Sequence, residues 1–280
     1  MKAKLAPKRF SLLALLMAAV MTMSLGGCAT GEVPTPEEIK KDNADSRARQ
    51  FIRVGDASQA GGDVASALAF YQRAQTMRPE WDEPYRRIGK MALALGMAGD
   101  AAQAFSKLSN LVPGDAGALI GLGRSLIALD QPEKAADAFR RAQVAAPGDH
   151  RPLNGLGVAE DLMGNHTAAQ AAYRSGLALA PDSLSLANNY GLSLALSGDF
   201  AQAIKILGDA AKAPGAGPRA RQNLALVYGL AGDMDRAEKL GRLDLSETQV
   251  QNNLKRYQAL RNLSDTARAR AVHTGQSPDP

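Results

Sequence analysis

Four prolines recur at an interval of 34 residues along the chain: Pro79, Pro113, Pro147 and Pro181. A constant period of this length is typical of stacked helical repeats. When the proline is counted as position 32 of each unit, position 8 is always glycine, position 20 alanine and position 24 aromatic. These residues are Gly55, Gly89, Gly123 and Gly157; Ala67, Ala101, Ala135 and Ala169; and Tyr71, Phe105, Phe139 and Tyr173. The register predicts one structural unit repeated at least four times.

The pattern within a unit predicts two antiparallel helices joined by a tight turn. Small residues at positions 8 and 20 allow close approach, and the aromatic residue at position 24 fills the space between the helices. Proline ends the second helix because it has no N–H to donate and its ring clashes with the preceding turn. The unit resembles the tetratricopeptide repeat. The resemblance implies an all-α, right-handed helical solenoid.

The repeat pattern continues beyond Pro181 and then weakens. A fifth unit keeps Gly191 and Ala203, and a sixth has Gly241 where the aromatic residue should be. Degenerate terminal repeats are expected where one neighbour is missing. We therefore predict a solenoid of five to six repeats over residues 48–245. A capping helix over residues 246–263 follows it and begins with a capping box formed by Ser246 and Gln249. The polar segment 264–280 is predicted to be disordered.

The N-terminus indicates a lipoprotein signal peptide over residues 1–27. A basic start precedes 16 apolar residues, and Leu25-Gly26-Gly27 leads to Cys28, the only cysteine. This arrangement resembles the lipobox of bacterial lipoproteins, which implies cleavage before Cys28 and acylation of its sulfur and amine. The alternatives are an uncleaved membrane anchor, for which 16 residues are short, and a free cysteine. Residues 28–47 would then form the lipidated cysteine, a tether and a leading helix.

The sorting rule of bacterial lipoproteins implies in which membrane the protein is anchored. Ala29, rather than aspartate, follows the cysteine. The resemblance therefore implies a protein of the bacterial envelope that faces the periplasm and is anchored to the outer membrane. It implies no cofactor other than the covalent lipid.

The charge balance argues against nucleic-acid binding. The chain has 33 Lys and Arg against 28 Asp and Glu, but four of the cations and none of the acids lie within residues 1–27. The predicted mature chain is therefore almost neutral, with 29 basic against 28 acidic residues. A near-neutral protein lacks the basic surface that nucleic-acid binding requires.

No catalytic or metal site is evident in the sequence. The three histidines, His150, His166 and His273, show neither metal-ligand nor triad spacing to acidic residues. The motif Gly121-Leu122-Gly123 recurs 34 residues later and falls within a predicted helix. Its glycines therefore serve helix packing and do not form a phosphate-binding loop. We therefore expect that the protein is not an enzyme.

Amide side chains at positions 5 and 6 of the later repeats are candidates for partner binding. They are Asn154, Asn188, Asn189, Gln222 and Asn223. First helices line the concave face of a tetratricopeptide array, and amides can both donate to and accept from the backbone of an extended peptide. Alternatively, these amides are ordinary polar residues on a solvated helix face.

The combination of lipobox, repeats and a tail helix with Asn252-Asn253-Leu254 before Tyr257 resembles the TadD-type lipoproteins of Flp (Tad) pilus assembly. The resemblance covers most of the mature chain and implies a scaffold that binds secretin or other pilus assembly and secretion components. Two alternatives remain open: an adaptor for envelope or peptidoglycan biogenesis enzymes, and a general periplasmic chaperone.

Overall fold

The computed structural model describes residues 35–275, in which all regular structure is α-helical. The chain divides into two compact units, residues 1–46 and 47–280, and the boundary falls within the first helix. The predicted signal peptide and Cys28 lie outside the described residues. The helices are α1 Pro36–Ala60, α2 Val64–Met77, α3 Asp82–Ala94, α4 Ala98–Leu111, α5 Ala116–Ala128, α6 Pro132–Ala145, α7 His150–Leu162, α8 His166–Leu179, α9 Leu184–Leu196, α10 Phe200–Lys212, α11 Pro218–Ala231, α12 Met234–Gly241, α13 Glu247–Arg261 and α14 Asp265–Thr274.

The helices pair as the 34-residue register predicts, which confirms the all-α solenoid. Each of repeats 2 to 5 is one hairpin, formed by α3 with α4, α5 with α6, α7 with α8, and α9 with α10. Repeat 1 joins the C-terminal part of α1 to α2, and repeat 6 joins α11 to the short α12. Each hairpin also packs on the next, so neighbouring repeats bury their facing surfaces against each other.

The prolines end the second helices as predicted. The residue before each repeat proline leaves the helical region: Arg78, Val112, Ala146 and Ala180 have φ between −131° and −141° and ψ between 73° and 81°. The proline ring excludes the α conformation at the residue that precedes it. The shifted Pro214 acts in the same way, since Ala213 before it is extended with φ −66° and ψ 149°.

In repeats 2 and 3, the aromatic ring at position 24 packs against both its own hairpin and the next one. A methyl carbon placed on Gly89 would lie 2.7 Å from the Phe105 ring, and one placed on Gly121 of the following repeat would lie 2.5 Å from it. Phe139 sits in the same way between Gly123 and Gly155. Each ring therefore fills a slot that exists only because both facing residues are glycine.

The C-terminal end differs from the prediction. Helix α13 begins with the expected reciprocal capping box of Ser246 and Gln249, and it packs against α11 and α12. The segment predicted to be disordered, 264–280, instead contains α14, so the disorder prediction is wrong for residues 265–274. Ala269 and Ala271 of this helix are 0% and 3% exposed. The small apolar face that orders α14 is too short to stand out in a polar sequence.

Consecutive first helices define the inner face of the array. Helix α3 contacts α5, α5 contacts α7, α7 contacts α9 and α9 contacts α11, whereas consecutive second helices make little or no contact. Neighbouring repeats are therefore closest on the side of the first helices. None of the helices between residues 35 and 275 combines the length and the apolarity needed to cross a bilayer.

Candidate functional site

The five predicted amides all lie on the first helices α7, α9 and α11, and all are partly buried. Asn189 Nδ2 donates to Asn154 Oδ1 at 2.9 Å, and Asn223 Nδ2 donates to Asn188 Oδ1 at 3.2 Å. The structure therefore brings four of them together in two pairs, each of which joins consecutive repeats. Within the described chain, Gln222 makes no such side-chain bond.

The pairing leaves the four asparagines with different numbers of free hydrogen-bonding groups. Asn154 also donates to Ser185 Oγ at 3.3 Å, and Asn188 donates to the Leu184 carbonyl at 2.7 Å. Both of these side chains therefore already act as donor and acceptor within the protein. Asn189 and Asn223 use their Nδ2 groups, which leaves each Oδ1 to accept a hydrogen bond from a ligand N–H. Of the four paired asparagines, only Asn189 and Asn223 therefore keep a free acceptor for a peptide.

A buried polar cluster that the sequence did not reveal centres on Asp161 of α7. The Asp161 side chain is 0% exposed and accepts hydrogen bonds from four side chains of α8, α9 and α14. The bonds are His166 Nδ1 to Oδ1 at 2.8 Å, Ser193 Oγ to Oδ1 at 2.7 Å, His273 Nε2 to Oδ2 at 3.0 Å and Tyr173 OH to Oδ2 at 3.1 Å. Since a carboxylate only accepts, both histidines donate from the nitrogen that faces it.

The cluster corrects the interpretation of the histidines. His166 and His273 both pair with one acid, although they stand 5 and 112 residues from it in the sequence. Among residues 35–275 no group of histidine, cysteine and acidic side chains is arranged to hold a metal ion. The two rings bind opposite oxygens of Asp161, so the cluster joins α7 to α8 and to α14.

The environment of Asp161 shifts two pKa values in opposite directions. Burial alone would raise the pKa of Asp161, but the hydrogen bonds from His166, His273 and Ser193 outweigh it and hold that pKa below its ordinary value. Burial and the adjacent carboxylate raise the pKa of Tyr173 well above its ordinary value. The carboxylate is therefore ionised and the phenol neutral near pH 7.

One sequence signal could have revealed the cluster. Position 12 of repeats 2, 3 and 5 holds Leu93, Ile127 and Ala195, whereas repeat 4 has Asp161. A charged residue at a position that is apolar in the neighbouring repeats requires a partner when it is buried. Its partner His273 could not have been found in this way, because it lies outside the repeats.

Two family models match the chain, both described as tetratricopeptide repeat, one over residues 92–157 and the other over residues 155–218. Together they cover repeats 3, 4 and 5 and most of repeat 2. They describe a repeat unit and not a catalytic domain. No curated protein sequence matches the chain.

Solved structures share the fold at low sequence identity. PilF of Pseudomonas aeruginosa is 17% identical, with a TM-score of 0.58 over 78% of this chain and 99% of its own. PilW, described as a widely conserved type IV pilus biogenesis factor, is 15% identical, with a TM-score of 0.64 over 74% and 96%. MamA of Desulfovibrio magneticus RS-1 is 21% identical, with a TM-score of 0.55 over 59% and 93%. These similarities show the solenoid fold alone.

Proposed function

We propose that this tetratricopeptide-repeat protein is a membrane-anchored scaffold that binds other proteins during assembly of an envelope machine. The observation that supports this most directly is the inner face of the array. It presents unpaired acceptor oxygens on Asn189 and Asn223 one repeat apart, which suits the regularly spaced N–H groups of an extended peptide.

The anchor in this proposal rests on the sequence of residues 1–28. A lipid on Cys28 would hold the array at the outer membrane and facing the periplasm. Several acyl chains on one residue give stable anchoring, where a single chain would be marginal.

The process in this proposal is Flp/Tad pilus assembly, with secretin or another pilus component as the partner. The TadD-type resemblance supports it, and so does the occurrence of the same fold in PilW, which is described as a type IV pilus biogenesis factor. The alternative partners are enzymes of envelope or peptidoglycan biogenesis.

Cross-linking in living cells distinguishes these partners. We expect secretin or pilus components to be captured by the wild-type lipoprotein, and capture to fall when Asn189 and Asn223 are both changed to Ala. The matched control is Gln72→Ala, an exposed amide on the second helix α2 that should leave capture unchanged. Capture of peptidoglycan enzymes instead would contradict the pilus assignment.

Lipidation is tested separately with Cys28→Ser. We expect this variant to accumulate as an unprocessed precursor that incorporates no alkyne fatty acid, because the thiol is the site of acyl attachment. Equal labelling of the wild type and the variant would refute the anchor without affecting the scaffold proposal.

A further inference from the structure

The inner face of repeats 2 to 4 contains two adjoining hollows, of about 470 and 510 Å³. They meet at Ile120, Arg124 and Arg151, which line both. The charged side chains that line the two hollows are Arg86, Lys90, Arg124 and Arg151, and no acidic side chain lines either of them. Although the mature sequence is almost neutral, this surface is cationic.

Two of the four cations are already neutralised at the rim. Arg86 forms ion pairs with Asp115 and, at 3.0 Å, with Asp82, and Arg151 pairs with Asp149 at 2.5 Å. Lys90 and Arg124 are exposed, and within residues 35–275 neither has an acidic partner or a side-chain hydrogen bond. The two free cations therefore determine the sign of charge that this surface binds.

The free cations share one repeat position and flank an apolar floor. Lys90 and Arg124 both stand at position 9, on α3 and α5, which contact each other. Partly buried Leu93 and Ile120 lie on the same two helices, with the Phe105 ring below them. Farther along, Ile127 and Val158 line the second hollow. A ligand that fits this surface carries negative charge together with apolar side chains.

From this geometry we infer that the groove binds an extended, acidic segment of a partner protein. Packed helices lie about 8–10 Å apart, so cations at equivalent positions of consecutive repeats are separated by about that distance. An extended chain in the polyproline II conformation advances about 3.1 Å per residue and returns to the same side every third residue. Two carboxylates three residues apart therefore face the same side and meet Lys90 and Arg124, and the segment between them passes over the apolar floor. This inference rests on the proposed scaffold function and specifies the chemistry of the partner.

Fluorescence anisotropy with the full-length chain in neutral detergent tests the inference. The probe is a short labelled peptide with aspartates at i and i+3 and apolar residues between them. The comparison peptides replace both aspartates with asparagine or with lysine. We expect the aspartate peptide to bind most tightly and its affinity to fall as salt is added. Equal binding of all three peptides would overturn the inference.

Paired variants locate the site. Lys90→Ala with Arg124→Ala should weaken binding of the aspartate peptide at least about tenfold. The control is Arg174→Ala with Lys205→Ala, which removes one arginine and one lysine from the exposed side of second helices α8 and α10. Both double variants should keep the wild-type melting temperature, since all four side chains are exposed. Wild-type affinity in the groove variant would show that the peptide binds elsewhere.

Two further measurements separate this inference from competing explanations. If vesicles that contain phosphatidylglycerol bind through Lys90 and Arg124 while the aspartate peptide does not, the ligand is a lipid surface and the inference is wrong. If the groove variant loses the peptide but still captures its partner in cells, the acidic segment is not what the cellular partner supplies, which also overturns the inference while the scaffold proposal stands. If peptide binding holds but capture in cells fails, only the proposed process is wrong.

Discussion

The aromatic ring at position 24 fits against the facing glycines because these residues have a hydrogen atom in place of a Cβ. Methyl carbons placed on Gly123 and Gly157 would lie 2.7 and 2.4 Å from Phe139 and Tyr173. Carbon atoms prefer separations of about 3.5–4.0 Å, so each glycine is required by packing and not by its backbone conformation. This differs from Gly208 within α10, where no atom lies near an added methyl.

Replacing Gly123 and Gly208 with alanine should therefore change stability in opposite directions. Gly123→Ala overpacks the seam against Phe139, and we expect a loss of about 1–3 kcal/mol. Gly208→Ala removes a flexible residue from a helix interior without a clash, and we expect a gain of up to about 1 kcal/mol. Urea unfolding followed by circular dichroism measures both. A stable Gly123→Ala variant would mean that the register of the core is wrong.

Asp161 makes stability depend on pH in the acidic range. Its folded pKa lies below the ordinary value of 3.8, so the unfolded chain takes up the proton first as pH falls. The stabilisation is therefore complete well above pH 3.8 and is lost as pH falls through the folded pKa.

Asp161→Asn should cost about 1–3 kcal/mol near neutral pH, because a charged acceptor is removed from buried donors. The difference from wild type should shrink in acid. The exposed Asp137→Asn should show neither effect, and a pH-independent loss would contradict this origin.

At the scale of the elements, the turn inside each hairpin depends on one left-handed residue. Position 15 has φ between +73° and +92° in five repeats, where it is glycine, and +55° in repeat 3, where it is Asp130. A left-handed conformation costs a residue with a Cβ about 1–2 kcal/mol, less for aspartate, and glycine nothing. Asp130 also pairs with Arg270 of α14 at 2.8 Å, an exposed interaction worth at most about 1 kcal/mol.

Removing the ion pair first isolates the cost of the turn. In an Arg270→Ala background, Asp130→Gly should raise the free energy of unfolding by about 1 kcal/mol. The reciprocal change Gly96→Asp places the same strain at position 15 of repeat 2, where no atom lies near the added side chain, and should lower it by a similar amount. Thermal unfolding compares the Arg270→Ala protein with and without Asp130→Gly, and the wild type with Gly96→Asp. Equal stability within each of these two pairs would show that the turn tolerates aspartate without cost.

At the scale of the whole molecule, α14 connects parts of the array that are remote in sequence. It contacts α7, α9 and α13, and Arg268 donates to the carbonyls of Leu260 in α13 and of Leu263 just after it. Arg256 of α13 donates to the Ala271 carbonyl at 3.0 Å. Since a repeat array otherwise joins only neighbouring units, α14 adds a link from the capping helix α13 back to repeats 3 to 5.

Removing the His273 ring should release α14 while the repeats stay folded. The loss of one hydrogen bond to a charged, buried acceptor corresponds to about 1–3 kcal/mol, so amide exchange over residues 265–274 should become about 10–100-fold faster. His150→Ala is the matched control, since this partly buried histidine borders the hollow in repeat 4 and has no side-chain bond among the described residues. Mass spectrometry of exchanging amides measures both variants. Unchanged exchange over α14 in His273→Ala would mean that the apolar face of the helix alone holds it.

The sequence by itself determined the repeats, and the tertiary structure decided the rest. The period of 34, the glycine–aromatic pairs and the capping box at Ser246 predict the helices correctly, because the contacts within and between neighbouring repeats are short in sequence and recur. The position of the amides on first helices could be predicted, but their pairing could not, because the direction of a side chain depends on what lies beside it. The Asp161 cluster and the α14 contacts join residues 112 and 140 positions apart without repetition. Such contacts leave no periodic signal, since the surface that stabilises them exists only after the array has formed.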